Sequence, residues 1–181
     1  MTFIKHLVLI LAALALLVSS GPAAADELYF SPADTMILSF DPFPVHVMVD
    51  DIESIMGYNI SVSITGDPCV MVTGVIEGTL PGSGGGPTFF RWLNPGDAGS
   101  IAVNGSVLGT TVDGPGILFT IFFKALAPGV AWLDFTSSDL RNGVNESLSH
   151  GSDGRARIMV DNVISTEETT WGAIKAICRE R

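Results

Sequence analysis

The sequence predicts an all-β fold, an antiparallel sandwich of the jelly-roll kind, and three observations carry that expectation. Residues 117–125 and 130–136 are two apolar, aromatic and β-branched runs, joined at Ala127-Pro128-Gly129 and bounded by Gly/Pro clusters. Period-two alternation recurs: Val45, Val47 and Val49 against His46, Met48 and Asp50, then Tyr58, Ile60, Val62 and Ile64 against Asn59, Ser61, Ser63 and Thr65. Turn signals divide the chain into about eight or nine such runs, and no helical pattern interrupts them. With Phe119, Ile121, Phe123 and Ala125 turned inward, Leu118, Thr120, Phe122 and Lys124 face outward. In the next run Ala131, Leu133 and Phe135 take the inner side, with Val130, Trp132 and Asp134 opposite. Each run thus has an apolar face that must be buried against a second layer.

Taken in order, Leu28-Tyr29-Phe30 is a short first strand and Ser31-Pro32 a turn. Residues 36–40 form an edge strand that Asp41-Pro42-Phe43-Pro44 ends. The two alternating strands follow, separated by the polar turn 50–54 and closed at Gly66-Asp67-Pro68. Residues 70–76 are the next strand, with Gly74 as a bulge or bend. The glycine-rich stretch 81–87 is a flexible loop rather than a phosphate cradle, because it has no lysine. Residues 88–93 form a strand with exposed aromatics, and residues 101–108 another, bent at Asn104-Gly105. After the 117–136 pair, residues 136–154 are a polar stretch with turn signals at Asn142-Gly143 and Asp153-Gly154, and residues 155–160 close the sheet.

The two ends differ from this domain. Residues 1–25 have the form of a signal peptide: a short polar start at Lys5 and His6, an apolar run of 12 residues over 7–18, and Ala23-Ala24-Ala25 before a cleavage site after Ala25. The run is short for a membrane span, and no later stretch is long enough for one, although an uncleaved anchor is the rival reading. Cleavage leaves a sandwich at 26–164 and a tail at 165–181. In the tail, Ser165-Thr166-Glu167-Glu168 is a capping-box sequence, and Trp171, Ile174, Ile177 and Cys178 share one face of a predicted helix over 168–180. The exported chain carries 8 basic against 19 acidic residues, a net charge of −11 that suits neither nucleic acid nor anionic lipid. Cys69 and Cys178 allow one disulfide, but two free thiols are the favoured reading, and no zinc-ligand spacing occurs.

Several stretches carry a family likeness. Pro44-Val45-His46-Val47-Met48-Val49-Asp50 is similar to the opening strand of cohesin modules, followed by residues 55–64. Gly66-Asp67-Pro68-Cys69-Val70 resembles their Tyr-Asp-Pro-x-Val/Leu turn, and Val75-Ile76-Glu77-Gly78 the Val-x-x-Gly after it. Residues 116–125 match best, and 130–140 and 154–160 resemble the last two strands. The resemblance spans roughly 36–162 and departs from the pattern at the glycine-rich insertion and at Cys69. It implies a cohesin-like sandwich, a relative of carbohydrate-binding modules, whose expected partner is a dockerin.

Residues for catalysis are few. His46 sits on an alternating strand opposite the valines and reads as an exposed sheet histidine, while His150 lies in a polar loop without a discernible partner. No Gly-x-Ser-x-Gly or His-Glu-x-x-His motif occurs, and Asp50-Asp51 is better explained as a turn. Asp134, Asp139 and Asp153 stand in a stretch rich in oxygen ligands, where calcium competes with the simpler reading of a solvated loop, so no cofactor is expected. The candidate binding residues are aromatic. Phe122 and Trp132, on adjacent strands, form a flat patch that a sugar or a protein partner can cover, or that the tail helix covers instead. Phe90 and Trp92 are a second candidate surface. The leading expectation is a secreted, non-catalytic module for dockerin-type recognition in polysaccharide degradation or surface assembly. Direct polysaccharide binding and a structural or adhesive surface role are the alternatives.

Overall fold

The entry segment shows how the chain builds two layers. β1 (Glu27–Ser31) buries Leu28 and Phe30, and then Pro32, which has no N–H to continue a ladder, breaks the strand. β2 (Asp34–Ile37) resumes in the opposite sheet. The computed structural model describes residues 27–94, 99–152 and 154–161. The predicted leader over 1–25 and the tail over 165–181 lie outside them.

The remaining strands are β3 (Phe43–Asp50), β4 (Gly57–Gly66), β5 (Val70–Glu77), β6 (Thr88–Leu93), β7 (Ser100–Val107), β8 (Gly116–Ala125), β9 (Gly129–Arg141), β10 (Gly151–Ser152) and β11 (Ala156–Val160). One helical turn, α1 (Thr79–Ser83), takes up the start of the glycine-rich stretch. A five-stranded sheet runs β10-β1-β3-β8-β5 and faces a six-stranded sheet in the order β2-β11-β9-β4-β7-β6. Among the described residues no helix is long and apolar enough to cross a membrane.

The expected sandwich is present, with corrections. Both sheets are mixed rather than purely antiparallel, because β1 pairs with β10 and β2 with β11 in parallel. Eleven strands are described, since the entry strand splits in two and β10 adds a short piece. The polar residues Ser137, Ser138 and Asp139 are not loop: β9 carries them on to Arg141. Nor is the strand over 101–108 bent at Asn104-Gly105, for β7 keeps one register with β4 and β6 throughout.

The core follows the alternation. Val45, Val47 and Val49 of one sheet share a single buried cluster with Ile60, Val62, Ile101 and Val103 of the other, and all are essentially inaccessible. Where the alternation fails, a bulge is responsible. Phe119 pairs with Val47 and Ile117 with Met48, which leaves Leu118 as the extra residue. Leu118 is therefore fully buried beside Phe119 instead of facing outward. Its carbonyl accepts hydrogen bonds from the Gly78 N–H at 2.8 Å and the Tyr58 hydroxyl at 3.3 Å. Burial pushes the Tyr58 phenol up from its ordinary value. Thr120 is buried as well, and a 2.9 Å hydrogen bond shared with half-buried His46 satisfies its hydroxyl there.

The other two bulges act likewise. In β5 the register with β8 shifts between Val72 and Gly74, where the sequence places a bulge. In β9, Ser137 pairs with Ser61 and Phe135 with Val62, leaving Thr136 over. Past Thr136 the buried position moves from odd residues (Ala131, Leu133) to even (Leu140). That single extra residue lets one strand of 13 residues serve the core along its whole length.

Candidate functional site

The register fixes which side chains share each outer face. β6, β7, β4 and β9 are neighbours, so their outward residues fall into rows. Arg91, Asn104, Asn59 and Asp139 form one row, and Leu93, Ala102, Ser61 and Ser137 the next. Phe89, Ser106, Gly57 and Arg141 form a third. The middle of this face thus carries only small and amide side chains, which keep it low and rich in hydrogen-bonding groups. Two apolar residues, Phe89 at 52% exposure and Leu93 at 43%, stand along its β6 edge.

The sandwich supports that flatness from beneath. Under the Arg91 and Phe89 rows, Tyr58 of β4 lies across Gly105 of β7, where any Cβ would overlap its ring. Tyr58 also stacks on Phe119 of the opposite sheet at a centroid distance of 6.2 Å.

At the end of the face carrying Gly57 and Arg141 the surface drops into a cleft of about 420 Å³. Met56, Val107 and Leu108 give it an apolar wall, and Asn59, Asp139 and Arg141 a polar one. Residues 142–147 close it as an ordered turn. The Asn142 side-chain oxygen accepts the Val144 N–H at 3.1 Å and the Glu146 N–H at 2.9 Å. Asp139 accepts from the Ser147 hydroxyl and from Arg141 Nε, both at 2.7 Å, and Arg141 in turn donates to the Asn145 carbonyl at 3.0 Å. The Ser147 hydroxyl, and after it Arg141, hold the Asp139 carboxyl below its usual range.

That shift gives the loop a pH dependence. A carboxylate lowered in the folded state contributes order above its unfolded pKa and loses it as pH falls through the folded one. The protection factors of residues 142–147, measured against the intrinsic exchange rate at each pH, are therefore expected to fall on acidification within the pH range below the ordinary aspartate value. Ser147→Ala is expected to move that onset upward while leaving β4 and β7 protected. An onset unmoved by Ser147→Ala contradicts this.

The sequence-derived candidates sort unevenly. Phe122 and Trp132 are not on adjacent strands. Phe122 lies on β8 of the five-stranded sheet and Trp132 on β9 of the six-stranded one, so the sandwich separates them and no joint patch exists. The turn at Ala127-Pro128-Gly129 crosses between sheets instead of closing a hairpin. Trp132 is further capped by the Arg155 guanidinium, 4.4 Å from its ring centre, while Arg155 pairs with Asp134 at 3.2 Å. Phe90 and Trp92 project from the inner side of edge strand β6, opposite Gly105 and Val103. Phe90 packs against the core and Trp92 stays 36% exposed. The more exposed Phe89 was not singled out from sequence, because Thr88-Phe89-Phe90-Arg91-Trp92-Leu93 is apolar on both faces.

Of the calcium candidates, Asp134 and Asp139 each hold a separate arginine, and Asp153 lies outside the described residues. Among the described residues no group of three or more His, Cys, Asp or Glu side chains is placed to hold a metal ion. Cys69 is a buried free thiol that desolvation pushes up, and Cys178 lies outside the described residues. His150 is not without partners: its ring bonds the Leu148 carbonyl and the Ser138 hydroxyl, each at 2.9 Å.

No family model and no curated protein matches the sequence. Solved structures do match the fold. A non-cellulosomal cohesin from the archaeon Archaeoglobus fulgidus superposes with a TM-score of 0.63 at 14% identity, covering 81% of this chain and 98% of its own. The OlpA cohesin of Clostridium thermocellum, solved in a type I cohesin–dockerin complex, gives 0.61 at 14% identity, covering 76% and 99%. A cohesin module from a Clostridium perfringens family 33 glycoside hydrolase gives 0.60 at 7% identity, covering 77% and 98%. The chain has the cohesin fold, as the sequence likeness implies.

Proposed function

We propose that this chain is a non-catalytic recognition module that binds a dockerin-type protein partner on the outer face of its six-stranded sheet. The observation that carries the reading is the row structure of that face. Four hydrogen-bonded strands present small hydroxyl, amide and charged side chains between the Phe89/Leu93 edge and the cleft at Arg141. Strand residues are already ordered by their ladders, so binding there costs little conformational entropy. Central polar groups give specificity, and the apolar edge supplies desolvated contact area. The cohesin fold, seen in the OlpA cohesin bound to a dockerin, supports a partner of that class.

The leader-like residues 1–25 support export, and a role in extracellular polysaccharide degradation or surface assembly is the setting that suits an exported module with a dockerin-type partner. The polysaccharide alternative loses its main support with the Phe122/Trp132 patch, because neither flat outer face carries those two rings together.

Purified residues 26–181 offered in parallel to dockerin-bearing proteins and to insoluble polysaccharides decide between these. Capture of a dockerin-bearing protein is the expected result. Retention on polysaccharide in the absence of any protein contradicts the proposal.

A further inference from the structure

We propose that β6 pairs edge to edge with β6 of a second copy of this chain, about a two-fold axis at Phe90, joining two six-stranded sheets into one. The strand order ends at β6, so among the described residues its outer edge meets no other strand. Which groups lie on that edge follows from the ladder. The Leu108 N–H donates to the Pro87 carbonyl at 2.8 Å, whereas the Val107 N–H turns the other way, to the Met56 carbonyl at 2.7 Å. In an antiparallel pair these two orientations alternate. Phe89, Arg91 and Leu93 therefore direct their backbone groups at β7, while Thr88, Phe90 and Trp92 direct theirs outward. Among the described residues no hydrogen bond outside the β6–β7 ladder reaches the backbone of those three.

An open edge of this kind is usually guarded by lysine, proline, a bulge or inward charge. β6 has no lysine or proline within Thr88–Leu93, keeps one register with β7, and carries a single charge, Arg91 on the outer face. Phe89, Trp92 and Leu93 all stay exposed along it.

The strand is complementary to itself in one register. Directly opposed residues of antiparallel strands share a face, so a two-fold pairing must centre on a residue. Centred on Phe90, Thr88 lies opposite Trp92 of the second copy and Phe90 opposite its own counterpart. The three outward N–H and three outward C=O groups of each copy then all find partners. Outer-face residues fall at the closer positions between those bonds, where each Phe89 meets Arg91 of the other copy. Arg91 makes no ion pair or hydrogen bond among the described residues, so its guanidinium is available to that ring. An axis at Arg91 sets two guanidinium groups against each other, and one at Phe89 puts Trp92 opposite Gly86, beyond the strand. The pairing is isologous and closes at two copies. It continues one outer face into the other, so two recognition faces lie side by side. The inference is independent of the dockerin reading and is tested with this protein alone.

Sedimentation equilibrium of residues 26–181 measures it, with salt at about 0.15 M to screen the charge of each copy and reductant to keep Cys178 from linking copies. The expected result is a monomer–dimer equilibrium with a Kd below about 0.5 mM, weak because the contact is small. Amide exchange of Thr88, Phe90 and Trp92 is expected to slow as the dimer forms. Phe89→Lys, at an exposed position, sets a lysine against Arg91 of the other copy twice and is expected to raise Kd at least about tenfold while the core strands stay protected. Phe89→Lys with Arg91→Glu restores opposite charges and is expected to bring Kd back to within about threefold of its starting value. A monomer at every concentration, a dimer indifferent to Phe89→Lys, or a loss that the charge swap does not repair overturns the proposal. Slowed exchange at the edge that requires an added partner protein also overturns it, because a foreign strand then occupies the edge.

Discussion

Phe119→Ala is expected to lower the stability of the sandwich by about 3–5 kcal/mol, the range for removing a buried phenylalanine ring. Phe119 is fully inaccessible, follows the β8 bulge at Leu118, and stacks on Tyr58 of the facing sheet with the rings 14° from parallel. The lost ring therefore removes apolar burial and one of the stacked aromatic contacts between the two sheets. The surrounding backbone cannot close the space easily. Bulged Leu118 is tied by its carbonyl to both Gly78 and Tyr58, and a Cβ on Gly78 would already collide with the Ile117 carbonyl. Against a typical total of about 5–15 kcal/mol the effect is a large fraction of all the stability present. Urea unfolding monitored by tryptophan fluorescence checks it, with the midpoint falling and the slope unchanged. Phe122→Ala, at a half-buried outward position on the same strand, should cost clearly less. Equal losses at the two positions contradict the assigned orientation of β8.

Ser61→Arg is expected to weaken binding of a dockerin-type partner by at least about a hundredfold, or roughly 2.7 kcal/mol, with little change in stability. Ser61 occupies the second row of the proposed interface, between Ala102 of β7 and Ser137 of β9. A long charged side chain there stands above a surface built from small residues and holds a partner off its neighbours. It also places an unpaired charge in a desolvated contact, which is costly. Stability should hardly respond, because surface substitutions away from special backbone positions usually stay within about 0.5 kcal/mol. Titration calorimetry against a captured dockerin, with thermal unfolding alongside, separates the two effects. Phe122→Ala, on the other sheet, serves as the wrong-face control and should leave the affinity unchanged.

Much of the architecture was legible because alternation is a local property. Val45, Val47 and Val49, or Tyr58, Ile60 and Val62, declare a strand and its buried face with no knowledge of their neighbours. A bulge is harder to read. Gly74 announced one by residue type, whereas Leu118 and Thr136 resemble ordinary strand residues and are extra only relative to β3 and β4. Each reverses the phase beyond it, so the outward assignment of Leu118 and the loop assigned to Ser137, Ser138 and Asp139 failed together with the count. The Ala127-Pro128-Gly129 turn misled for a related reason. A short apolar–turn–apolar pattern suits a hairpin and a corner between sheets equally, and the choice rests on distant contacts. Leu126 and Ala127 bond the Cys69 carbonyl, and Gly129 sits against Asp67 and Cys69 so closely that a side chain would be crowded.

The candidate site is still less local. Arg91, Asn104, Asn59 and Asp139 come from four strands and become a row only through register. In sequence each is an unremarkable polar residue between apolar ones. Aromatic residues attracted notice because they are chemically conspicuous, yet Trp132 is held under Arg155 and Phe122 belongs to the opposite face.

The most direct measurement is amide hydrogen exchange on residues 26–181, free and saturated with a captured dockerin-bearing protein. The expected footprint is slowed exchange over β4, β6, β7 and β9, extending to the loop at 142–147, with β1, β3, β5 and β8 unchanged. Protection confined to the five-stranded sheet, or spread over neither outer face, contradicts recognition by the six-stranded sheet.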